Sequence, residues 1–267
     1  PLLLHEPMKR ALRAASKMQI VEGLTDAEIA EAHRSADVFA EVEDMTAPLD
    51  ALLKLIHAID WLNIKGKAGK DALKIFFDGQ FGDPLDIAMG KKEPKTKREE
   101  GQRFAEILGQ ARMRIAEENF LNWQVTFPGI WADWEEDDLT GGFHAVIGNP
   151  PWDRMKLQEV EWFTERRREI ALAQRSSDRK KMIKALEEEG DPLARDYAIA
   201  AQRASDGLSM ARKGGDYPLL SGGDVNLYSL FVERSMTVVK DTGYIGLIVP
   251  SGIASDKTAA TFFKGVA

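Results

Sequence analysis

Two short apolar runs constrain the fold of this chain more than any other feature: "FHAVIG" at 143–148 and "GYIGLIVPSG" at 243–252. Each has the length and the nearly continuous apolar character of a strand buried in a parallel sheet. The stretch between them is far too long for a hairpin and closes with a helical pattern at 225–239. A strand, a long excursion, a helix and a second strand make an α/β pattern.

The first 120 residues carry helical periodicity instead. Thr25 and Glu28 stand at the spacing of a capping box, which predicts a helix start. Apolar residues then recur at spacings of three and four within 49–59 and within a second predicted helix at 97–118. This region is expected to be helical throughout.

Three shorter segments in and after this region also carry predictions. "FFDGQFGDP" at 76–84 fits a helix that ends at Gly79 better than a strand followed by a glycine turn. The charged stretch at 89–101 is typical of an exposed loop. In "NWQVTFP" at 122–128 the apolar residues alternate, which predicts a short strand that stops at Pro128.

We therefore expect two regions. Residues 1–120 form a helical insertion or bridge, and residues 121–267 form an α/β portion that contains a charged helical excursion at 153–223. The first residue is proline, and the last residues stop inside a helical pattern. We expect both ends to be cuts in a longer polypeptide.

Composition narrows the classes of function. The chain has no cysteine, and its four histidines are scattered without ligand spacing, so no metal site is expected. No apolar run is long enough to span a membrane and no secretory signal opens the chain, which makes a cytoplasmic protein the default. A net charge of −7 argues against a surface that grips polyanions everywhere, but it leaves room for a local basic strip.

One such strip is possible at 164–184, which holds eight Lys or Arg against three acids. The plainer interpretation is a solvated helical face, and we favour it. The functional interpretation is a set of phosphate contacts. Under that interpretation the phosphate-contacting side chains are Arg166, Arg167, Arg168, Lys180 and Lys181.

The sequence "NPPW" directly follows the first apolar run. Ligands of open parallel sheets bind outside the carboxyl ends of strands, which is where Asn149 would lie. Pro150 and Pro151 restrict the backbone and offer no N–H, so the Asn149 side-chain oxygen and the Pro150 carbonyl can act as two fixed acceptors. Two acceptors without an acid or base suit an amine that presents two hydrogens. Trp152 adds a flat face on which a base that has been flipped out of a duplex can stack.

At these residues the chain resembles a known family. "IGNPPW", together with the blocks at 122–131, 222–240 and 243–263, is similar to the adenine-specific branch of amino-group DNA methyltransferases. In particular it looks like the methylases of type IIG restriction-modification systems and of related phage-defence systems. The resemblance covers about 121–267 and implies a Rossmann-like α/β sheet with a large helical insertion.

The resemblance also implies a donor, a substrate and residue roles. The donor would be S-adenosylmethionine and the substrate double-stranded DNA with a flipped adenine, methylated at N6. Asn149, Pro150 and Trp152 would form the catalytic amine site, with Pro151 shaping it. The main donor motif of the family lies upstream of the asparagine-proline-proline motif. We therefore expect this chain to be an inactive fragment that depends on the rest of its parent polypeptide.

Two further sets of residues receive roles by resemblance. One set would line the donor pocket or brace the catalytic strand, and consists of Asp224, Asn226, Tyr228 and Phe231. The other lies in the loop after Pro250, where Ser251 and Asp256 would contact DNA beside the flipped base.

Two rival functions stay open. A protein glutamine-amide methyltransferase uses a similar asparagine-proline-proline turn, because an amide also presents NH₂. The other rival is a non-catalytic DNA-binding or scaffold piece of a defence complex. Methyl transfer to DNA rather than to protein separates the first rival, and tight donor binding by the chain alone argues against the second.

Overall fold

The computed structural model describes residues 2–24, 28–62, 64, 66–133, 140–255 and 259–266. The chain forms two compact units. One consists of Pro1–Ala145 with Val238–Tyr244, and the other of Val146–Thr237 with Ile245–Ala267. The functional boundary expected near residue 120 stays a prediction.

The first unit is mostly helical, as expected for residues 1–120. Its helices, in chain order, are α1 (Leu2–Glu22), α2 (Ile29–Trp61), α3 (Lys67–Phe77), α4 (Pro84–Ala88), α5 (Glu99–Glu118) and α6 (Trp123–Thr126). Helix α2 packs against α1, α4 and α5, and α3 packs against α5. Thr25 of the predicted capping box lies outside the described residues, and the helix begins after Glu28 at the N-cap.

The core of this unit forms where α2, α3 and α5 meet. Phe76 and Phe104 are both fully buried, and their rings stack with centroids 4.4 Å apart. Helix α3 ends as predicted: Gly79 has a φ of 75°, and its N–H donates to the Phe76 carbonyl at 2.8 Å. A positive φ favours glycine, so this residue suits the end of a helix rather than a ligand-binding turn after a strand.

The predicted strand at 122–128 is wrong. Trp123–Thr126 is the short helix α6, followed by a 3-10 turn at Pro128–Ile130. The carbonyl of Asn122 accepts hydrogen bonds from the N–H groups of Val125 and Thr126, at 3.1 and 2.8 Å. Alternation over so few residues also fits one helical turn, and tertiary contacts decided between the two.

The second unit contains the charged excursion. Its helices are α7 (Glu159–Thr164), α8 (Arg168–Ala171), α9 (Ser176–Glu188), α10 (Pro192–Lys213), α11 (Leu227–Val238), α12 (Gly252–Ser255) and α13 (Ala260–Val266). The excursion has a core of its own, made by Phe163, Ile170, Ile183, Leu186 and Ala194. The helix predicted at 225–239 is confirmed as α11.

Two pairs of strands are described. Strands β1 (Trp131–Ala132) and β2 (Thr140–Gly141) pair antiparallel. Strand β3 (Phe143–Gly148) pairs with β4 (Val239–Leu247). The backbone of Gly142 lies against Val238–Lys240 at one end, and the N–H of Ile248 donates to the Gly148 carbonyl at 3.0 Å at the other. These two strands are therefore parallel, as the sequence predicts.

The expectation that these strands are buried is wrong for the described residues. Ile147 in β3 is 85% exposed and Tyr244 in β4 is 79% exposed. Each strand has only the other as its described sheet neighbour, so their outer edges and much of their faces are open. The first apolar run predicted β3 at its observed bounds, whereas β4 begins before the second run and ends at Leu247. Neither run predicted how exposed its strand is.

Candidate functional site

Four residues, from Asn149 to Trp152, directly follow β3, and we call them the tip. The asparagine of the tip is exposed to solvent. Asn149 is exposed, and its side-chain amide makes no hydrogen bond with any described residue. Pro150 is buried, whereas Pro151 and Trp152 are exposed. At the end of the strand, the exposed amide of Asn149 is therefore followed directly by the buried ring of Pro150.

The indole N–H of Trp152 is hydrogen-bonded, whereas much of its ring is exposed to solvent. Its Nε1–H donates to the carbonyl of Ile248, just past the end of β4, at 3.4 Å. Ile248 is itself tied to the end of β3 through the bond from its N–H to the Gly148 carbonyl. The indole remains 54% exposed. The ring is therefore positioned by the ends of both parallel strands while it keeps surface available for stacking.

The segment after the tip pairs with the glycine-rich connection at 213–226, which leads into α11. Leu227 N–H donates to the Asp153 carbonyl at 2.9 Å, and Met155 N–H donates to the Val225 carbonyl at 3.1 Å. Between these bonds, Arg154 forms an antiparallel bridge with Asn226. The backbone on both sides of the tip is therefore fixed, by β4 before it and by this bridge after it.

The residues expected at the donor pocket fall into two groups. The Asn226 amide donates to the Asp224 carbonyl and to the Tyr228 hydroxyl, at 3.2 and 3.3 Å. Tyr228 is buried in an apolar cluster, which fits the bracing role that the resemblance allowed. Phe231 is 47% exposed, and Asp224 is exposed with a long ion pair to Arg154 at 3.8 Å. Phe231 and Asp224 are thus exposed, whereas Asn226 is half-buried and Tyr228 is buried.

Sequence reasoning missed Glu233. This carboxylate is 3% exposed, and its two oxygens accept the N–H groups of Leu219 and Leu220, both at 2.8 Å. It fixes the connection that later carries Asp224 and Asn226. An acid on the inward side of the α11 pattern was the available signal, since buried carboxylates need partners.

The basic strip at 164–184 is divided by internal contacts. Arg167 pairs with Asp191 at 2.6 Å, and Arg166 lies over the Trp162 ring at 4.5 Å from its centroid. The N–H of Leu193 and then Arg167 lower the pKa of Asp191 below its ordinary value. Three members of the set remain exposed without a partner among the described residues: Arg168, Lys180 and Lys181.

The loop after β4 is described only in part. Ser251 is exposed, and its carbonyl accepts the N–H of Ala254 at 3.1 Å in the turn that starts α12. Asp256 lies outside the described residues. Among the residues that are described, no cluster of three or more carboxylates and imidazoles could hold a metal ion. No described helix is long and apolar enough to cross a bilayer.

The family model of the Eco57I restriction-modification methylase matches residues 47–184, just over half of the chain. The chain belongs to this family. The matched range of this Eco57I-type methylase includes the whole tip from Asn149 to Trp152 and the basic strip at 164–184. It ends before Asp224 and Ser251. No curated protein and no solved structure matches the chain significantly.

Proposed function

We propose that this methylase transfers a methyl group to the N6 amine of adenine in DNA, as the modification activity of a cytoplasmic restriction-modification or phage-defence system. The observation that carries the proposal is the free, exposed amide of Asn149 at the end of β3, next to an open tryptophan face. The family match supports the reaction class. The identity of the acceptor is inferred from the chemistry of the tip.

The tip offers acceptors and no titratable group. The Asn149 side-chain oxygen and the Pro150 carbonyl accept no hydrogen bond from any described residue. An exocyclic amine that donates both of its hydrogens to such a pair turns its nitrogen lone pair out of conjugation with the ring. The same acceptors stabilise the positive charge that develops on that nitrogen. Backbone anchoring on both sides keeps this arrangement ready before substrate binds.

Trp152 selects for an amine on a planar ring. Base–aromatic stacking contributes about 1–3 kcal/mol per base. A base inside a duplex cannot present its amino edge to the tip, so the adenine must be flipped out. In this proposal Arg168, Lys180, Lys181 and Ser251, which are all exposed, contact the DNA backbone.

The methyl donor in this proposal is S-adenosylmethionine, which supplies an electrophilic methyl group when bound. Phe231 and Asp224 fit contacts to it, because their side chains are exposed. Tyr228 fits no direct contact, because it is buried and holds Asn226. The residues of this chain thus orient the amine and brace the tip.

The proposal is tested by following a labelled methyl group. The natural polypeptide that carries this chain is incubated with tritiated S-adenosylmethionine, unmethylated genomic DNA and total cell protein. We expect the label in DNA, and in N6-methyladenine after digestion to nucleosides. Label in protein instead of DNA supports the glutamine-amide alternative. Label in neither acceptor, despite a folded protein, contradicts the proposal and favours a scaffold role.

A further inference from the structure

The first unit contains a basic cavity that the methyl-transfer site does not use. Its volume is about 430 Å³. It is lined by residues of α3, of the turn before α4, of the loop that leads into α5 and of the first turn of α5, namely Ile75, Gln80, Phe81, Lys95, Lys97, Arg98 and Glu100. This size lies within the usual range for small-molecule sites and exceeds what one inorganic anion needs.

Three cations at this cavity have no internal counter-charge. Lys95, Lys97 and Arg98 are exposed, and none of their side chains has a hydrogen bond or ion pair with a described residue. Neighbouring charges are already paired: Lys92 with Asp86, and Arg112 with Glu93. With Glu100 included, the lining carries a net charge of about +2, which complements a phosphate dianion.

The loop that carries these cations is held in place by its backbone. Lys95 N–H donates to the Phe81 carbonyl at 2.9 Å, and Pro94 is buried. Farther back, Lys91 N–H donates to the Asp86 carbonyl at 2.8 Å. A side chain at Gly101 would collide with the Lys95 carbonyl oxygen, so the loop packs directly on the α5 backbone. The backbone that carries the three cations is therefore held in place before any ligand binds, so binding has to order only their side chains.

The rest of the lining suits the sugar and base of a nucleotide. Ile75 and Phe81 form an apolar wall, and Gln80 and Glu100 are polar groups without described side-chain partners. A carboxylate beside cations repels a bare phosphate but accepts hydrogen bonds from hydroxyl or amino groups. We propose that this cavity binds a phosphate-bearing nucleotide unit, with Lys95 and Lys97 on the phosphate. The proposal uses none of the residues assigned to methyl transfer, so either can fail without the other.

The nucleotide has two possible sources, and the experiment separates them. ATP binding is measured by calorimetry, and binding of a fluorescein-labelled 20-base-pair duplex by anisotropy, both without methyl donor. The test variant is Lys95→Glu with Lys97→Glu. The matched control is Lys67→Glu with Lys70→Glu, which makes the same charge change at two exposed lysines of α3 in the same unit.

We expect at least one probe to bind the unaltered protein and to bind the test variant about tenfold more weakly or worse, while the control stays within about twofold. Loss of ATP binding assigns a free nucleotide. Loss of duplex binding alone, with a salt slope smaller by about 2, assigns a DNA backbone unit. The proposal is overturned if neither probe binds at millimolar concentration, if the control loses as much as the test variant, or if inorganic phosphate binds as tightly as ATP.

Discussion

At the scale of single residues, Trp152 combines two properties that usually exclude each other. Its Nε1–H is tied to the Ile248 carbonyl, and yet more than half of its surface is open. In a core tryptophan the ring is buried, and in most surface tryptophans no hydrogen bond to the protein orients the indole. This combination suits a stacking platform, and it lets the ring and the indole N–H be tested separately.

Replacing Trp152 by Ala should lower kcat/KM for methyl transfer to DNA by about 5- to 150-fold, because the stacking surface is lost. Trp152→Phe should keep most of the activity, since the ring stays and only the long bond to Ile248 is removed. Steady-state kinetics with labelled donor measure both. Equal losses in the two variants contradict a stacking role and point to the indole N–H instead.

Glu233 should matter for stability rather than for chemistry. Glu233→Ala leaves the N–H groups of Leu219 and Leu220 without their acceptor, which should cost about 3–6 kcal/mol at about 1.5–3 kcal/mol per bond to a charged group. Glu233→Gln retains one acceptor oxygen and should cost about half. Urea unfolding measures the free energies, with the exposed Glu187→Ala as a control near zero. A cost below 1 kcal/mol for Glu233→Ala contradicts the anchoring role.

Sequence reasoning succeeded at residues whose role is set by their immediate neighbours. Two prolines after a strand predict where Asn149 lies, and local backbone restriction suffices for that. It could not foresee that Arg167 pairs with Asp191, because that partner lies 24 positions away on another element. A run of arginines looks the same whether its charges are free or paired, and only the fold distinguishes the two.

At the scale of elements, long periodic segments were predictable and short ones were not. Helix α5 (Glu99–Glu118) is close to the prediction of 97–118, because its apolar stripe repeats over many turns. Helix α6 has only one turn, and the contacts of Trp123 with Phe127 and Phe143 fix it. Such contacts are invisible to a periodicity argument.

Asp191 should make the stability of the charged excursion depend on pH. It caps α10 through the Leu193 N–H and pairs with Arg167, and its lowered pKa means that the folded state favours the carboxylate. Its contribution is therefore present above its ordinary value of 3.8 and is lost as the pH falls through the lower folded value. Asp191→Asn should lower the melting temperature at pH 7, and this difference should shrink below pH 3.8. A pH-independent difference contradicts the electrostatic account.

At the scale of the whole molecule, the exposed apolar strands are the most unusual feature. Ile147 is almost fully exposed, whereas Ile170 is buried in the core of the excursion. Ile147→Thr should change the free energy of unfolding by less than about 0.5 kcal/mol. Ile170→Thr should cost about 2 kcal/mol or more, because a hydroxyl replaces a buried ethyl group.

The same pair tests whether the strand surface is apolar in solution. Ile147→Thr should reduce the fluorescence of a hydrophobic dye such as 8-anilinonaphthalene-1-sulfonate bound to the folded protein, because it removes exposed apolar area. Urea unfolding and dye titration together check the two variants. A large stability loss for Ile147→Thr shows that β3 is covered in solution.

The central claim is that an amide at the end of β3 orients the amine that receives the methyl group. The most direct test makes two variants of the natural polypeptide that carries this chain and compares their single-turnover methyl transfer to DNA: Asn149→Ala, and Gln110→Ala, which removes an exposed amide from α5. The account predicts that Asn149→Ala abolishes the N6-methyladenine product while circular dichroism and melting temperature stay at the unaltered values, and that Gln110→Ala transfers at the full rate. Undiminished transfer by Asn149→Ala contradicts the account.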